Sequence, residues 1–344
     1  MNEVWVGTVL AVQANFYQVQ LDEQEDTPLL CTRRSRLKKI GQRVMVGDRV
    51  RVEDPDWAGL RGAIAEVYPR TTELSRPPVA NADQILLVFS VEQPTLDPYQ
   101  LSRFLVKGES TQLGLCLCLN KSDLVSTQWQ EQWHHRLGQW GYVPVFISVV
   151  TGQGLTELAE QLAQRVTVVA GPSGVGKSSL INALIPDAHL RVGKVSGKLQ
   201  KGRHTTRHVE LFKLPGGGLL ADTPGFNQPD VDYPPEQLAD YFPEVRSLMN
   251  VETCQFSDCL HREEPDCGIR GVWERYDHYL MFLEEAIARQ EQRDRLGDPE
   301  STLKRKGDNT YEPKLNSKKY RRPSRRTQQQ QLEEWYKDAE FEGL

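Results

Sequence analysis

The sequence predicts a multidomain chain: an N-terminal β-barrel of the OB-fold type, a central α/β domain and a mostly helical C-terminal module. Three observations predict it. The first 70 or so residues carry short alternating β runs, Gly171 to Ser178 forms a glycine loop between a β-rich run and a helix, and Cys254, Cys259, His261 and Cys267 cluster closely. At 344 residues the chain is too long for one ordinary core. We place the boundaries at 1–72 (barrel), 73–228 (α/β domain), 229–296 (metal module with a long helix) and 297–344 (basic tail).

The barrel runs are Val4 to Val6, Val9 to Ala11, Tyr17 to Leu21, Arg43 to Val46, Arg49 to Val52 and Ala63 to Val67, with Gly and Asp turns between several of them. About five strands in so short a length suggest an OB-fold. An SH3-like barrel with no nucleic-acid role is the alternative.

The apolar run Leu113 to Leu119 reads as a buried parallel strand and leads into Asn120-Lys121-Ser122-Asp123. A carboxylate at Asp123 can accept two hydrogen bonds from guanine N1–H and N2–H₂. Adenine lacks that donor pair and would leave the carboxylate unpaired. Val145-Phe146-Ile147 then leads into Ser148-Val149, resembling a loop whose backbone packs on guanine, with valine where alanine is usual.

Gly171-Pro172-Ser173-Gly174-Val175-Gly176-Lys177-Ser178 fits G-x-x-x-x-G-K-[ST] in full, with Ser179 opening the helix beyond. Such a loop points backbone N–H groups at phosphates, aided by the helix N-terminus. Lys177 would reach the β/γ-phosphates, and the Ser178 hydroxyl would bind Mg²⁺. Asp222-Thr223-Pro224-Gly225 follows Leu219-Leu220, at a strand end where open α/β sheets bind ligands. Asp222 is the expected Mg²⁺ carboxylate, and the Gly225 N–H can bond the γ-phosphate. The order is rotated, because the base reader precedes the phosphate loop. The central domain therefore reads as a circularly permuted GTPase, a change that compact folds tolerate because their ends lie at the surface.

Phe226 stands where many GTPases have a water-positioning glutamine. His204, in Gly202-Arg203-His204-Thr205-Thr206-Arg207, is the candidate replacement and joins Lys177 as a catalytic candidate. A solvated loop residue or an RNA contact is the alternative for His204. One of Thr205 or Thr206 would bind Mg²⁺.

Cys254, Cys259, His261 and Cys267 supply three thiolates and an imidazole for one closed, structural Zn²⁺ site. Disulfides are disfavoured because no signal peptide is read and a nucleotide site implies a reducing cytosol. Cys31, Cys116 and Cys118 read as buried thiols, and His134, His135, His189 and His208 as surface residues. Trp273 to Arg295 reads as one amphipathic helix with Tyr276, Tyr279, Leu280, Leu283 and Ile287 on a shared face.

Net charge is −5, which argues against a general polyanion binder, yet residues 33–51 hold eight Arg/Lys against Asp48. Residues 302–326 hold ten against Asp308 and Glu312, without apolar periodicity, and read as a flexible tail. Two separate basic surfaces on an acidic chain favour a specific RNA over nonspecific binding, a solvated tail being the blander alternative. No apolar run approaches the length of a membrane span.

Together the rotated guanine-nucleotide site, the barrel and the Cys₃His module resemble the RsgA (YjeQ/YloQ) family over essentially the whole chain. The matching parts are Gly171 to Ser179, Gly202 to Thr206, Asp222 to Phe226 and Cys254 to Cys267. The resemblance implies a GTP hydrolase that binds the 30S ribosomal subunit and 16S rRNA, assists late subunit maturation and is stimulated by the ribosome. It also implies Mg²⁺ with GTP, GDP as product and a cytoplasmic monomer. Loss of the γ-phosphate would re-aim the metal module close behind Gly225 and drive release. A nucleotide-gated RNA-binding module with incidental turnover is the alternative.

Overall fold

A computed structural model describes residues 4–75, 77–188, 209–222, 233–252, 254–256, 258–296, 303–305 and 311–313. Met1–Ala286 forms one compact unit and Ile287–Leu344 a second.

The barrel comprises β1 (Trp5–Gln13), β2 (Phe16–Leu21), β3 (Gln24–Arg33), α1 (Ser35–Lys39), β4 (Arg49–Asp56) and β5 (Arg61–Val67). β1, β2 and β3 form an antiparallel meander, β3 runs parallel to β5, and β4 pairs back onto β1 from Trp5↔Val52 to Thr8↔Arg49. The strand order 1-2-3-5-4 therefore closes on itself, with a helix between the third and fourth strands. That connectivity is the OB-fold and removes the SH3-like alternative. Val9, Val19, Leu29, Val50, Val52 and Ile64 fill the interior.

Two details differ from the sequence expectation. β3 was not anticipated, because its start, Gln24 to Pro28, is acidic and ends in proline. The β2–β3 ladder jumps from Val19↔Leu29 to Leu21↔Gln24, so Pro28 sits in an irregular stretch where its missing N–H costs no ladder bond. Arg43 to Val46 is not a strand. The buried Asp48 carboxylate accepts the Met45 N–H at 2.7 Å and bends the segment into a turn. Asp48 also accepts from Arg70 at 2.7 and 3.0 Å, which ties the barrel to the linker beyond it.

A hairpin of β6 (Glu73–Ser75) and β7 (Pro78–Ala80) leads into the α/β domain. Its elements are β8 (Gln84–Ser90), α2 (Pro98–Glu109), β9 (Gly114–Asn120), α3 (Thr127–Gln139), β10 (Pro144–Phe146) and α4 (Leu155–Leu162). β11 (Val166–Ala170), α5 (Lys177–Leu184), β12 (Glu210–Lys213) and β13 (Leu219–Asp222) complete it. The sheet order is β10-β9-β8-β11-β13-β12, parallel except for the antiparallel edge strand β12. Every residue of β8 is buried, as a central parallel strand covered on both faces requires. β12 also meets β1 at Ala11↔Glu210, so barrel and α/β sheet are continuous. Local signals set the helix starts: Asp97 caps α2 ahead of Pro98, and Ser126 Oγ accepts the Trp129 N–H at 3.2 Å ahead of α3.

The C-terminal module contains α6 (Pro243–Met249) and α7 (Tyr276–Leu296). The buried face of α7 is Tyr279, Phe282, Leu283 and Ala286. Leu280 is only half-buried and Phe282 takes the inward place, and the helix starts three residues later than expected because Trp273 to Arg275 lie in the preceding turn. Arg275, fully buried, fastens the module to the α/β domain. Its guanidinium pairs with Glu244 at 2.5 and 2.6 Å, contacts Ser102 Oγ at 3.4 Å and lies 4.6 Å from the Phe242 ring centre and 4.9 Å from that of Trp140. Within the tail expected to be flexible, β14 (Leu303–Arg305) and β15 (Tyr311–Pro313) pair as an antiparallel hairpin.

Removing one partner of a buried ion pair strands the other. Arg275→Ala is therefore expected to destabilise the chain by about 3–5 kcal/mol, read from urea denaturation. A loss below about 1 kcal/mol, the level of a surface pair, would show that Arg275 does not fasten the module.

Candidate functional site

The loop from β11 to α5 and the segment after β9 meet at the C-terminal edge of the sheet. Asn120, 2% exposed, closes β9. Its Nδ2 donates to the Val175 carbonyl at 2.9 Å, and its Oδ1 accepts the Lys121 N–H at 2.8 Å. Gly176 has φ +96°, and a Cβ there would lie 2.5 Å from Asn120 Nδ2, so both the backbone and the contact require glycine. The Lys121 ammonium donates to the Gly174 carbonyl at 3.1 Å and to that of Gln93. Asp123 lies exposed beside them in a short 3₁₀ turn.

The Ser122 N–H donates to Ile147 O at 3.0 Å, which brings Ser148-Val149 alongside. Ser148 is buried, with its Oγ accepting the Thr151 N–H at 3.2 Å. Val149 is partly buried against the α/β core, so the larger side chain is absorbed by packing. Gly171, Pro172 and Val175 are buried, Ser173 is exposed, and Gly174, Ser178 and Ser179 are half-buried.

Lys177 Nζ donates to Gly171 O at 2.8 Å and Pro172 O at 2.6 Å. Burial lowers its pKa to about 8, against the opposing pull of Asp222. Asp222 ends β13 opposite Val169 of β11, on the same edge. Asn120 to Asp123, Ser148-Val149, Gly171 to Ser179 and Asp222 thus converge on one edge of a parallel sheet, the ligand-binding side of such folds. His204, Thr205, Thr206 and Gly225 lie outside the described residues. The loop after β8, whose Gln93 carbonyl meets Lys121, was missed. Its signal is the apolar run Ile85 to Phe89 at the end of a strand, with Gln93-Pro94-Thr95 a few residues on as a turn at the same edge.

Some 30 residues beyond β13, the second cluster closes. Cys254, Cys259, His261 and Cys267 bring their ligand atoms within 4.8 Å of one another. Cys254 and Cys267 Sγ are 3.8 Å apart, and His261 Nδ1 is 3.5 and 3.4 Å from them. A tetrahedral ion bonded at about 2.3 Å to sulfur and about 2.0–2.1 Å to nitrogen would leave edges of about 3.8 and 3.5 Å. The sulfur separation is far beyond a disulfide bond of about 2.05 Å, so the donor set fits an ion.

The surrounding loop is held from several directions. Glu264 accepts the N–H groups of Leu260, Arg262 and Glu263 at 2.7–3.1 Å. Burial pushes its pKa up, but these backbone bonds outweigh that and bring it down to about 2. From α7, Tyr276 and Tyr279 hydroxyls donate to the carbonyls of His261 and Leu260 at 2.9 and 2.6 Å. Cys31, Cys116 and Cys118 are buried free thiols, as expected, and His134 and His135 are exposed. Among the described residues no helix is long and apolar enough to cross a membrane.

Residues 67–232 match the RsgA GTPase family. The chain is 64% identical over 361 aligned residues to the small ribosomal subunit biogenesis GTPase RsgA of Trichormus variabilis, covering 97% of this chain and 98% of that relative. The crystal structure of YjeQ from Thermotoga maritima matches with a TM-score of 0.71 at 33% identity, over 83% of this chain and 99% of that one. YloQ, described as a circularly permuted GTPase, matches with a TM-score of 0.69 at 33% identity, over 83% of this chain and 96% of that one. Strand order, converging motifs and near-full-length relatives agree, and the chain belongs to the RsgA family of circularly permuted GTPases.

Proposed function

We propose that this GTP hydrolase acts on the 30S ribosomal subunit, binding 16S rRNA and assisting late maturation, with turnover stimulated by the subunit and release driven by hydrolysis. The observation that carries the reading is the Asn120 bond to Val175, which joins base segment and phosphate loop into one site. The name of the Trichormus relative, a small ribosomal subunit biogenesis GTPase, supports the ribosomal assignment. Multiple-turnover GTPase rates with and without 30S subunits test it: a clear rise is expected, and an unchanged rate would remove the stimulated role.

Within this reading Asp123 selects guanine, Ser148-Val149 packs on the base, and Gly171 to Ser179 cradles the phosphates. Ser178, Asp222 and one of Thr205 or Thr206 hold Mg²⁺, the Gly225 N–H senses the γ-phosphate, and His204 orients water. On the barrel, Arg34, Arg49 and Arg51 are ion-paired with nearby carboxylates, whereas Arg36, Lys38 and Lys39 are exposed around the buried Leu37 of α1. These cations and the basic segment 302–326 are the proposed phosphate contacts. The protein works in the cytoplasm as a monomer, and the Cys₃His site takes one structural Zn²⁺.

Asp123→Asn should weaken GTP and improve xanthosine triphosphate, because xanthine offers an acceptor where guanine has a donor; competition binding reads the switch. Charged phosphates favour protonated Lys177, whose pKa near 8 leaves it partly neutral in the free protein. GTP affinity should therefore be level at low pH and fall as pH rises through about 8, by up to about tenfold per unit. Calorimetry in buffers of different ionisation heat should show proton uptake there. Metal analysis should give one zinc per chain. Cys259→Ser should abolish it and unfold the 250–270 region while GTP binding persists, since ligation free energy is folding free energy.

A further inference from the structure

We infer that the loop leaving β8, Val91 to Leu96, is a further wall of the guanine site, with Ser90 and Gln93 as positioning residues acting through Lys121. The inference rests on Asn120 to Asp123 being the base reader. β8 and β9 end level, with Ser90 opposite Asn120 and the Val91 N–H donating to Asn120 O at 3.0 Å. Beyond that point the loop folds on itself. Ser90, 1% exposed, donates from Oγ to Pro94 O at 2.7 Å. The Leu96 N–H donates to Val91 O at 3.2 Å, and Thr95 Oγ1 donates to Glu92 at 2.7 Å.

The closed loop leaves the Gln93 carbonyl to accept from the Lys121 ammonium, which also reaches Gly174 O of the phosphate loop. Gln93 holds φ +55° and Lys121 φ +64°, left-handed conformations that non-glycine residues keep only where the surroundings impose them. The Gln93 side chain is exposed, so its contribution comes from the backbone. A free lysine stem samples many rotamers. Pinned between two carbonyls, it is ordered before the nucleotide arrives, which lowers the ordering cost of binding. None of this touches the reacting phosphate, so the effect falls on affinity and not on chemistry.

The test is steady-state GTP hydrolysis by the full chain, with KM read as binding once single-turnover rates show chemistry slower than nucleotide release. Ser90→Ala should raise KM on the order of tenfold with kcat held, as expected for loosening a hydrogen bond to a charged group. Gln93→Val, which strains the same backbone without removing a buried group, should do likewise. In a Lys121→Met background both effects should shrink below about twofold, because a residue acting through Lys121 has nothing left to position. KM within about twofold of the parent for both variants, or equal increases in both backgrounds, would overturn the inference. Asp123→Asn is measured alongside. If it switches preference to xanthine while the Lys121 dependence is missing, only the positioning loop fails. If guanine preference is unchanged, the base-reader assignment fails and takes this inference with it.

Discussion

The Asn120 amide lies between two segments 55 residues apart in the chain, donating to the Val175 carbonyl while accepting from Lys121. Hydrogen bonds of this kind contribute only about 0.5–1.5 kcal/mol each, so this one fixes geometry more than stability. It works because the sheet has already ended β9 level with β8, and because Gly176 has no Cβ to fill the space the amide occupies. Shifting β9 by one residue would turn Asn120 to the opposite face. The register of three parallel strands therefore sets the distance between the segment that would read the base and the one that would hold the phosphates.

Because those distances come from the sheet, chain order is free to change. The strand carrying the phosphate loop, β11, is the fourth of six in sequence, yet it pairs with β8 on one side and β13 on the other. The rotation leaves the α/β domain with its C-terminal exit next to the metal module. Arg275 then sets that module against α2 and α3, through Ser102 and the aromatic face of Trp140. The module is thus attached through a packed interface as well as through the chain leaving β13.

Side-chain constellations were legible in the sequence wherever residue type at fixed spacing defines them. The phosphate loop, the Asn120 to Asp123 segment and the Cys₃His set are each local, and the structure brings each together. Elements governed by distant packing were harder to read. β3 was hidden by Gln24 to Pro28, whose composition suits a turn until a ladder irregularity accommodates it. Arg43 to Val46 alternates like a strand but is bent by a buried Asp48 that sequence alone would place on the surface. Periodicity puts Leu280 on the inner face of α7, whereas the packed neighbours select Phe282. The loop after β8 acts through a backbone carbonyl, which no residue type announces.

The central position of β8 has a consequence for synthesis on the ribosome. All seven of its residues are apolar-buried or enclosed in the finished sheet, and one of its two neighbours, β11, lies far downstream. That neighbour emerges roughly 80 residues later, which at about 5–20 residues per second is on the order of 4–16 seconds. During that interval one edge of the most buried strand has no partner, an arrangement prone to mispairing with other chains. The barrel strands all precede β8 in the chain, so the rotated order leaves the central sheet of the second domain as the part that must wait for a downstream strand before it can close.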